Sequence, residues 1–321
     1  MPKLKVAAYW AADCGGCGVA ILDINERILA LAEAADIVFW PLALDPKVED
    51  VKAMKDKEID VCLFSGAIRN DENHEMAELL RRKSKILISF GSCACFGGIP
   101  ALANLFTREE ILRRVYLETE STNNPEKIYP RTHFNAPEGE LDIPEFYDHV
   151  YTLDQVVDVE YYIPGCAPLP DTIWAAVSAL IGGAVPAKGT IFAGSKTLCD
   201  ECSKVKQEKK ITDIKRPIEI MMDSEKCLLE QELICLGPVT RGGCGGRCTA
   251  MDMPCRGCFG PTEGSLDQGA KLIGTIGSLI DSNDPGEIKR IVDKILDPAG
   301  TFYRFTLAGS MLQGKRREGV S

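Results

Sequence analysis

The sequence has no excess of positive charge, few histidines and no long uninterrupted apolar run. Its 37 basic residues are outnumbered by 47 acidic ones, and the net charge of −10 argues against nucleic-acid binding and against attraction to anionic lipid. The longest apolar stretch, 172–187, is broken by two glycines and a proline and is too short to span a bilayer. The three histidines do not pair with any cysteine motif at zinc-finger spacing, so we assign them no role.

A secretory leader and a twin-arginine pair are also absent from the beginning of the sequence, where two lysines are followed by uncharged residues up to Asp13. We therefore expect a cytoplasmic protein that makes no direct membrane insertion and keeps its thiols reduced. The composition, 45% hydrophobic and 26% charged, is that of an ordinary globular protein. At roughly 150 residues per domain, a chain of 321 residues predicts two domains.

Short apolar segments alternate with amphipathic ones through the first half of the sequence. Strands are predicted at 4–10, 37–44, 59–64, 85–90 and 156–163, and helices at 19–35, 72–82 and 171–181, with two more helices later at 266–280 and 285–296. Because the strands are apolar throughout and alternate with helices, they predict an α/β fold with a doubly wound parallel sheet. The stretch 121–148 interrupts the alternation with four prolines, and it suits either a surface insertion or a partner-binding loop.

Cysteine is the residue present in unusual number: the chain has 14. In a reducing compartment this points to metal ligands or redox chemistry before disulfides. Eight of them lie between Cys199 and Cys258, where strand patterns fade and glycines accumulate. We therefore predict a smaller, irregular, cysteine-rich second domain, with the first domain covering 1–187 and the second 188–321.

Four cysteines of the first domain follow predicted strands. Cys14 and Cys17 form a C-x-x-C after the first strand, Cys93 follows the fourth and Cys166 the fifth. Since ligand sites of open α/β sheets form at the carboxyl ends of the strands, these residues predict one shared site. Four converging thiolates suit either a 4Fe–4S cluster or a zinc ion, whereas a C-x-x-C alone is also found in thioredoxin-like dithiols.

The second domain supplies two further sets of four cysteines. They are Cys199, Cys202, Cys227, Cys235, Cys244, Cys248, Cys255 and Cys258. Neighbouring glycines leave room for bulky clusters, and the chemistry alone allows zinc or iron–sulfur in each set. Two cysteines are left over: Cys62 lies inside a predicted strand as a small buried hydrophobe, and Cys95 is an alternative ligand to Cys93. We favour Cys93, because it directly follows the turn at Gly91 and Ser92.

Taken together, these motifs resemble the small subunit of nickel–iron hydrogenases, over nearly the whole chain. The matching segments are Cys14-Gly-Gly-Cys17, Gly-Ser-Cys93-Ala-Cys-Phe-Gly-Gly and Pro-Gly-Cys166-Ala-Pro. The resemblance implies a flavodoxin-like first domain that holds a proximal 4Fe–4S cluster on Cys14, Cys17, Cys93 and Cys166. It implies a medial cluster on Cys244, Cys248, Cys255 and Cys258, and a distal cluster on Cys199, Cys202, Cys227 and Cys235.

Two positions depart from the pattern of many family members. Cys199 stands where many have a histidine, and Cys248 stands where many have a proline beside a 3Fe–4S medial cluster. Both departures point to three all-cysteine 4Fe–4S clusters. A thiolate in place of a neutral imidazole adds negative charge and lowers the reduction potential, which suits an acceptor near the hydrogen couple.

The resemblance implies an electron-transfer subunit of a hydrogenase, an oxidoreductase whose nickel–iron site belongs to a separate large subunit. The chain itself then has no catalytic residues and relays electrons through three clusters to a redox partner. Within the family it looks most like the cytoplasmic methyl-viologen-reducing type. The expected partners are therefore the nickel–iron large subunit and an electron-accepting iron–sulfur or flavin subunit of a heterodisulfide reductase complex.

Two alternatives stay open at this point. One is an iron–sulfur relay subunit of a related, complex I-like oxidoreductase that is not a hydrogenase. It is weaker, because the single-cluster subunit of complex I has adjacent cysteines and lacks a second cysteine-rich domain. The other is a scaffold that binds zinc and has no redox role.

Overall fold

The computed structural model describes residues 3–183, 185–208 and 210–313, and its central feature is a five-stranded parallel sheet. The strands along the chain are β1 (Leu4–Trp10), β2 (Ala35–Phe39), β3 (Ile59–Ser65), β4 (Ile68–Asn70), β5 (Ser84–Phe90), β6 (His133–Ala136), β7 (Gly139–Asp142), β8 (Phe146–Tyr151) and β9 (Tyr161–Ile163). The central sheet has the order β2-β1-β3-β5-β9, and all its pairs are parallel. The α/β fold with a doubly wound parallel sheet predicted from the sequence is confirmed.

Helices cover both faces of this sheet. The helices are α1 (Gly16–Leu22), α2 (Arg27–Ala34), α3 (Val48–Ala53), α4 (Asp71–Lys83), α5 (Gly91–Phe96), α6 (Arg108–Arg113), α7 (Pro170–Ile181), α8 (Arg247–Ala250), α9 (Gln268–Leu279), α10 (Pro285–Val292) and α11 (Pro298–Phe302). Apolar residues of α1, α2 and α7 pack on one face, and those of α3 and α4 on the other. Burial on both faces explains why β3 is apolar along nearly its whole length.

Several of the predicted element boundaries were wrong. The helix expected at 19–35 is two helices, α1 and α2, because Asn25 between them adopts a left-handed φ of 56°. The strand expected at 37–44 ends at Phe39, shortly before Pro41, which has no N–H to donate to a ladder. The strand expected at 156–163 is reduced to β9, because residues 156–160 form turns and bends. The helix expected at 285–296 ends at Val292.

The second half of the chain has little regular structure besides its helices. Within 185–208 and 210–313 the backbone pairs only as isolated bridges, and short 3-10 turns occur at Leu198–Asp200, Pro217–Glu219, Leu228–Gln231 and Gly237–Val239. Its apolar core includes Leu236, Leu272 and Phe302, and this core continues to Ala101 and Val150 of the first half. The two halves therefore share one continuous buried cluster.

The domain boundary at 187/188 stays a prediction. Hydrogen bonds to the sheet continue past it, since the Gly189 N–H donates to the Glu160 carbonyl and the Phe192 N–H to the Tyr162 carbonyl. The basic tail 314–321, which closes the second predicted domain, lies outside the described residues.

The proline-rich stretch 121–148 contains an antiparallel hairpin of β6 and β7. It then enters β8, which pairs antiparallel with β4. The hairpin residues are largely exposed, and a partner for them stays a prediction. None of the described helices is long and apolar enough to cross a membrane.

Candidate metal centres

The four cysteines of the proximal set lie at one edge of the parallel sheet. Cys14 follows β1 and Cys17 lies on α1, Cys93 lies on α5 directly after β5, and Cys166 follows β9. Because β1, β5 and β9 are parallel members of one sheet, their carboxyl ends meet at the same edge. The structure therefore places all four at one edge of the sheet, and a single site shared by them stays a prediction.

Two glycines make room for the proximal sulfurs. Gly91 has φ +85°, and a β-carbon there would collide with Sγ of Cys17. Gly98 has φ +58°, and a β-carbon there would lie 2.5 Å from Sγ of Cys93. Both positions need glycine for its backbone conformation and for its lack of a side chain.

The proximal thiols act on one another electrostatically. Burial, followed by the charges of Cys166 and Asp13, raises the pKa of Cys93 to about 12. Burial is also the main cause that raises the pKa of Cys17, again reinforced by Asp13 and Cys93. Thiols raised in this way hold their protons unless a cation neutralises the thiolates, which is what bound iron or zinc would do.

Asp13 is a functional neighbour that the sequence reasoning missed. Its Oδ1 accepts a hydrogen bond from the Gly15 N–H at 2.6 Å, and its Oδ2 accepts one from Oγ of Ser65 at 2.6 Å. The carboxylate thus fixes the loop that carries Cys14 and adds negative charge beside the sulfurs. The available signal was its position directly before the C-x-x-C.

The distal set lines one cavity in the second half of the chain. Cys199, Cys202, Cys227 and Cys235 all contribute to its wall, together with two lysines that sequence reasoning had not singled out, Lys204 and Lys206. Lys206 donates to the carbonyls of Cys199 and Cys202. Lys204 is buried and forms an ion pair with Asp252. These cations offset the negative charge that thiolates bring to the site.

The thiols of the medial set raise one another's pKa values. Charges on Cys244 and Cys248 raise the pKa of Cys258, and the charge on Cys258 raises the pKa of Cys255. Burial raises the pKa of Cys258 to about 12, and backbone hydrogen bonds oppose the rise at the neighbouring sulfurs. At Cys244 the donors are the N–H groups of Gly246 and Arg247.

Two hydrogen bonds connect the three sets in a row. Oγ of Ser92, next to Cys93 of the proximal set, donates to the carbonyl of Cys258, in the medial set, at 2.6 Å. The backbone N–H of Cys255, in the medial set, donates to Sγ of Cys235, in the distal set, at 3.3 Å.

The sulfurs of the described cysteines are not gathered as closely as around a single metal ion. Among the described residues, three potential ligand atoms lie within 4.8 Å of one another at the exposed group His133, Glu140 and Asp142, and at no trio of cysteines. Tetrahedral zinc, with Zn–S bonds of about 2.3 Å, holds its sulfurs only about 3.8 Å apart. In a 4Fe–4S cluster each thiolate binds a different iron, so the sulfurs stand farther apart.

The two remaining cysteines are buried away from these sets. Cys95 is fully enclosed, and its thiol donates to the Ser89 carbonyl at 3.2 Å. Cys62 lies inside β3 with no exposed surface. None of the fourteen cysteines forms a disulfide, so no disulfide competes for the ligands. The choice of Cys93 over Cys95 as the ligand stays a prediction.

Comparison with known proteins matches the geometry to a family. Residues 14–180 match the family model described as NADH ubiquinone oxidoreductase, 20 Kd subunit. The chain is 38% identical over 318 residues to the iron-sulfur subunit of the F420-non-reducing hydrogenase of Archaeoglobus profundus, covering 97% of this chain and 98% of that protein. This chain belongs to the small-subunit family of nickel–iron hydrogenases, within the F420-non-reducing group.

Other relatives agree with this placement in the hydrogenase small-subunit family. The corresponding subunit of the F420-non-reducing hydrogenase of Methanothermobacter marburgensis is 36% identical over 323 residues, with 99% of both chains covered. The solved NiFeSe hydrogenase of Dm. baculatum shares the fold, with a TM-score of 0.50 at 18% identity over 83% of this chain and 97% of that chain. As a hydrogenase small subunit, the chain is part of an oxidoreductase complex with a large subunit.

Proposed function

We propose that this hydrogenase small subunit relays electrons from a nickel–iron large subunit to a redox partner through three 4Fe–4S clusters. The proximal cluster would be held by Cys14, Cys17, Cys93 and Cys166, the medial cluster by Cys244, Cys248, Cys255 and Cys258, and the distal cluster by Cys199, Cys202, Cys227 and Cys235. Bound there, each cluster supplies a site that accepts and releases one electron at a time.

The observation that carries the proposal is the pair of hydrogen bonds that connects the sets. Oγ of Ser92, next to Cys93, donates to the carbonyl of Cys258, and the N–H of Cys255 donates to Sγ of Cys235. An electron that passes from one set to the next therefore crosses a few covalent bonds and one hydrogen bond. An arrangement of three independent structural metal sites has no need for such contacts.

Exposure supports the assignment of the two ends of the relay. Cys14 and Cys166 of the proximal set are exposed in the isolated chain, so a partner must cover them in the working complex. We assign this surface to the large subunit. The distal set, with Lys206 at its side, would then face the electron-accepting iron–sulfur or flavin subunit, in our proposal one of a heterodisulfide reductase complex in the cytoplasm.

The protein also moderates the charge of the clusters. An oxidised 4Fe–4S cluster with four thiolates carries a charge of about −2, which adds to the net −10 of the chain. The backbone N–H of Cys255 donates to Sγ of Cys235 in the second half of the chain at 3.3 Å. Such a donor stabilises a thiolate without adding an ionisable group.

The deciding experiment is metal and sulfide analysis of the native complex, purified without oxygen, with hydrogen-dependent viologen reduction measured on the same sample. We expect about twelve iron and twelve sulfide per copy of this chain, from three clusters of four, and nickel in a co-purifying chain. A Cys258→Ser variant should lose about four of the iron atoms and most of the viologen reduction, while keeping its nickel. Zinc in place of iron, without labile sulfide, would contradict the relay.

The family model over 14–180 favours one alternative, a relay subunit of a complex I-like enzyme without a hydrogenase site. The same iron and sulfide without nickel or hydrogen-dependent activity would support it. The model ends before the eight cysteines of the second half, whereas the hydrogenase relatives match along the whole chain.

A further inference from the structure

A cleft rich in basic side chains lies in the second half of this acidic protein. It has a volume of about 260 Å³. Its cationic lining residues are Lys215, Arg216, Arg256, Lys294 and Arg304. The only acidic side chain among the described residues of the lining is Asp297, whose Oδ1 accepts a hydrogen bond from the Gly300 N–H at the start of α11 at 2.9 Å. In a chain of net charge −10, such a concentration of cations needs an explanation.

Of the five cationic side chains of the cleft, the two lysines form ion pairs with carboxylates among the described residues. Lys215 pairs with Glu232 at 2.5 Å, and Lys294 pairs with Asp213 at 2.6 Å. In the part of the chain that the structure describes, the three arginines of the cleft form no ion pair with a carboxylate. Their positive charge is therefore available to a ligand.

Two of these arginines reach the cleft from separate segments of the chain. Arg256 is half-buried, and Arg304 lies with it in the lining of the cleft. Nε of Arg304 donates to the Gly300 carbonyl at 3.2 Å, which holds this side chain in place. An anion in the cleft would be attracted by both guanidinium groups.

We propose that this cleft binds a small, multiply charged anion that carries phosphate or carboxylate groups. Guanidinium groups bind both through paired, charge-assisted hydrogen bonds. The remaining walls are apolar, with Ile214, Leu233 and Ile295 among them, so a ligand that carries an organic part beside its charges also fits.

The cleft adjoins the proposed electron relay. Two residues of its lining are sequence neighbours of proposed ligands, since Arg256 follows Cys255 and Ile234 precedes Cys235. An anion bound to Arg256 would oppose the addition of an electron nearby and lower the midpoint potentials of the medial and distal clusters. By linkage, reduction of these clusters would weaken anion binding by the same factor. This redox consequence rests on the proposed relay, whereas anion binding itself does not.

The first test is calorimetric titration of the purified native complex with inorganic pyrophosphate, and separately with citrate, at constant ionic strength set by chloride. We expect saturable binding of at least one probe. An Arg304→Gln variant should weaken it at least tenfold, and an Arg216→Gln variant should weaken it less, because Arg216 is exposed. An Arg131→Gln variant, which changes an exposed arginine outside the cleft, should bind like the unaltered complex.

Failure of the anion site can be told from failure of the relay. Iron and sulfide are counted on the same samples, so a complex that lacks clusters but binds pyrophosphate retains the anion site and contradicts the relay only. No saturable binding of either probe, or equal binding by the Arg304→Gln variant, would overturn the anion site. A redox titration with and without the probe should show lower medial and distal midpoints with it.

Discussion

The proximal site and the sites of the second half differ in the groups that neighbour their sulfurs. At the proximal site, burial and every charged neighbour of Cys17 raise the pKa of its thiol, and Asp13 is the foremost of these neighbours. Burial, followed by the charges of Cys14 and Asp13, also raises the pKa of Cys166. The protein thus resists additional negative charge at the edge of the sheet.

In the second half, buried sulfurs receive compensating donors. Sγ of Cys235 accepts a hydrogen bond from the N–H of Cys255 at 3.3 Å, and backbone hydrogen bonds lower the pKa of Cys244 against the effect of burial. Two lysines stand beside the distal set. Because a reduced cluster carries one more negative charge, we expect the proximal potential to be lower than the medial and distal ones. Electrons entering at the proximal cluster would then move towards a more favourable environment.

The largest effect on the difference between the two regions is expected from a variant that loses the proximal cluster. In a Gly91→Ala variant the new methyl group collides with Sγ of Cys17 at a positive φ. We expect the iron content to fall from about twelve to about eight per chain. Gly183→Ala is the matched control, since Gly183 also has a positive φ but no atom near the position of a β-carbon. If the control loses as much iron, backbone strain rather than the collision is responsible.

A second variant, Ser92→Ala, weakens the contact between the two regions. It leaves the Cys258 carbonyl without its hydroxyl donor, so the free energy of unfolding should fall by about 1–3 kcal/mol. Anaerobic chemical denaturation measures this loss. Ser278→Ala removes an exposed hydroxyl that bonds within its own helix and should cost far less. Equal losses would show that the Ser92 hydrogen bond contributes no more to the free energy of unfolding than that of Ser278.

An Asp13→Asn variant tests the charge at the proximal site. The amide keeps an acceptor for the Gly15 N–H but removes the negative charge. The proximal midpoint potential should rise by about 40 mV, which for one electron corresponds to roughly 1 kcal/mol. Redox titration followed by electron paramagnetic resonance measures all three clusters, and the distal midpoint serves as the internal control. An unchanged proximal midpoint would remove Asp13 from the explanation.

The smallest expected effect is at Lys206, which is exposed and therefore screened by solvent and salt. Lys206→Gln should lower the distal midpoint by roughly 10–20 mV, corresponding to a few tenths of a kcal/mol. The shift should shrink at high salt. Lys188→Gln changes another exposed lysine, which pairs with Asp158, and should leave the distal midpoint unchanged. A salt-independent shift would point to a structural effect at Cys199 or Cys202.

The sequence predicts the sheet because burial on both faces requires continuous apolar strands, and it predicts the proximal set because cysteines follow three of these strands. It does not predict the break at Asn25, since the local pattern of apolar residues continues through it. Apolar periodicity likewise extends past Phe39, and only the proline that follows reveals where β2 ends.

The charged surroundings of the sites were harder to foresee. Lys204 reaches Asp252 across 48 residues, and Arg256 meets Arg304 from a separate segment. Such pairs depend on how irregular segments fold back on one another, and they leave no periodic pattern in the sequence. The Asp13 carboxylate was the exception, because it is adjacent to its cysteine.

The irregular second half has a consequence for how the protein is made. Its cysteines join segments that no sheet holds together, since the backbone there pairs only as isolated bridges within 185–208 and 210–313. Iron bound in such a place, as we propose, would act as a cross-link that restricts the unfolded chain, much as a disulfide does in a small secreted protein. Insertion of the clusters and final folding would therefore be one event, and a cell starved of iron would accumulate a partly folded chain open to proteolysis.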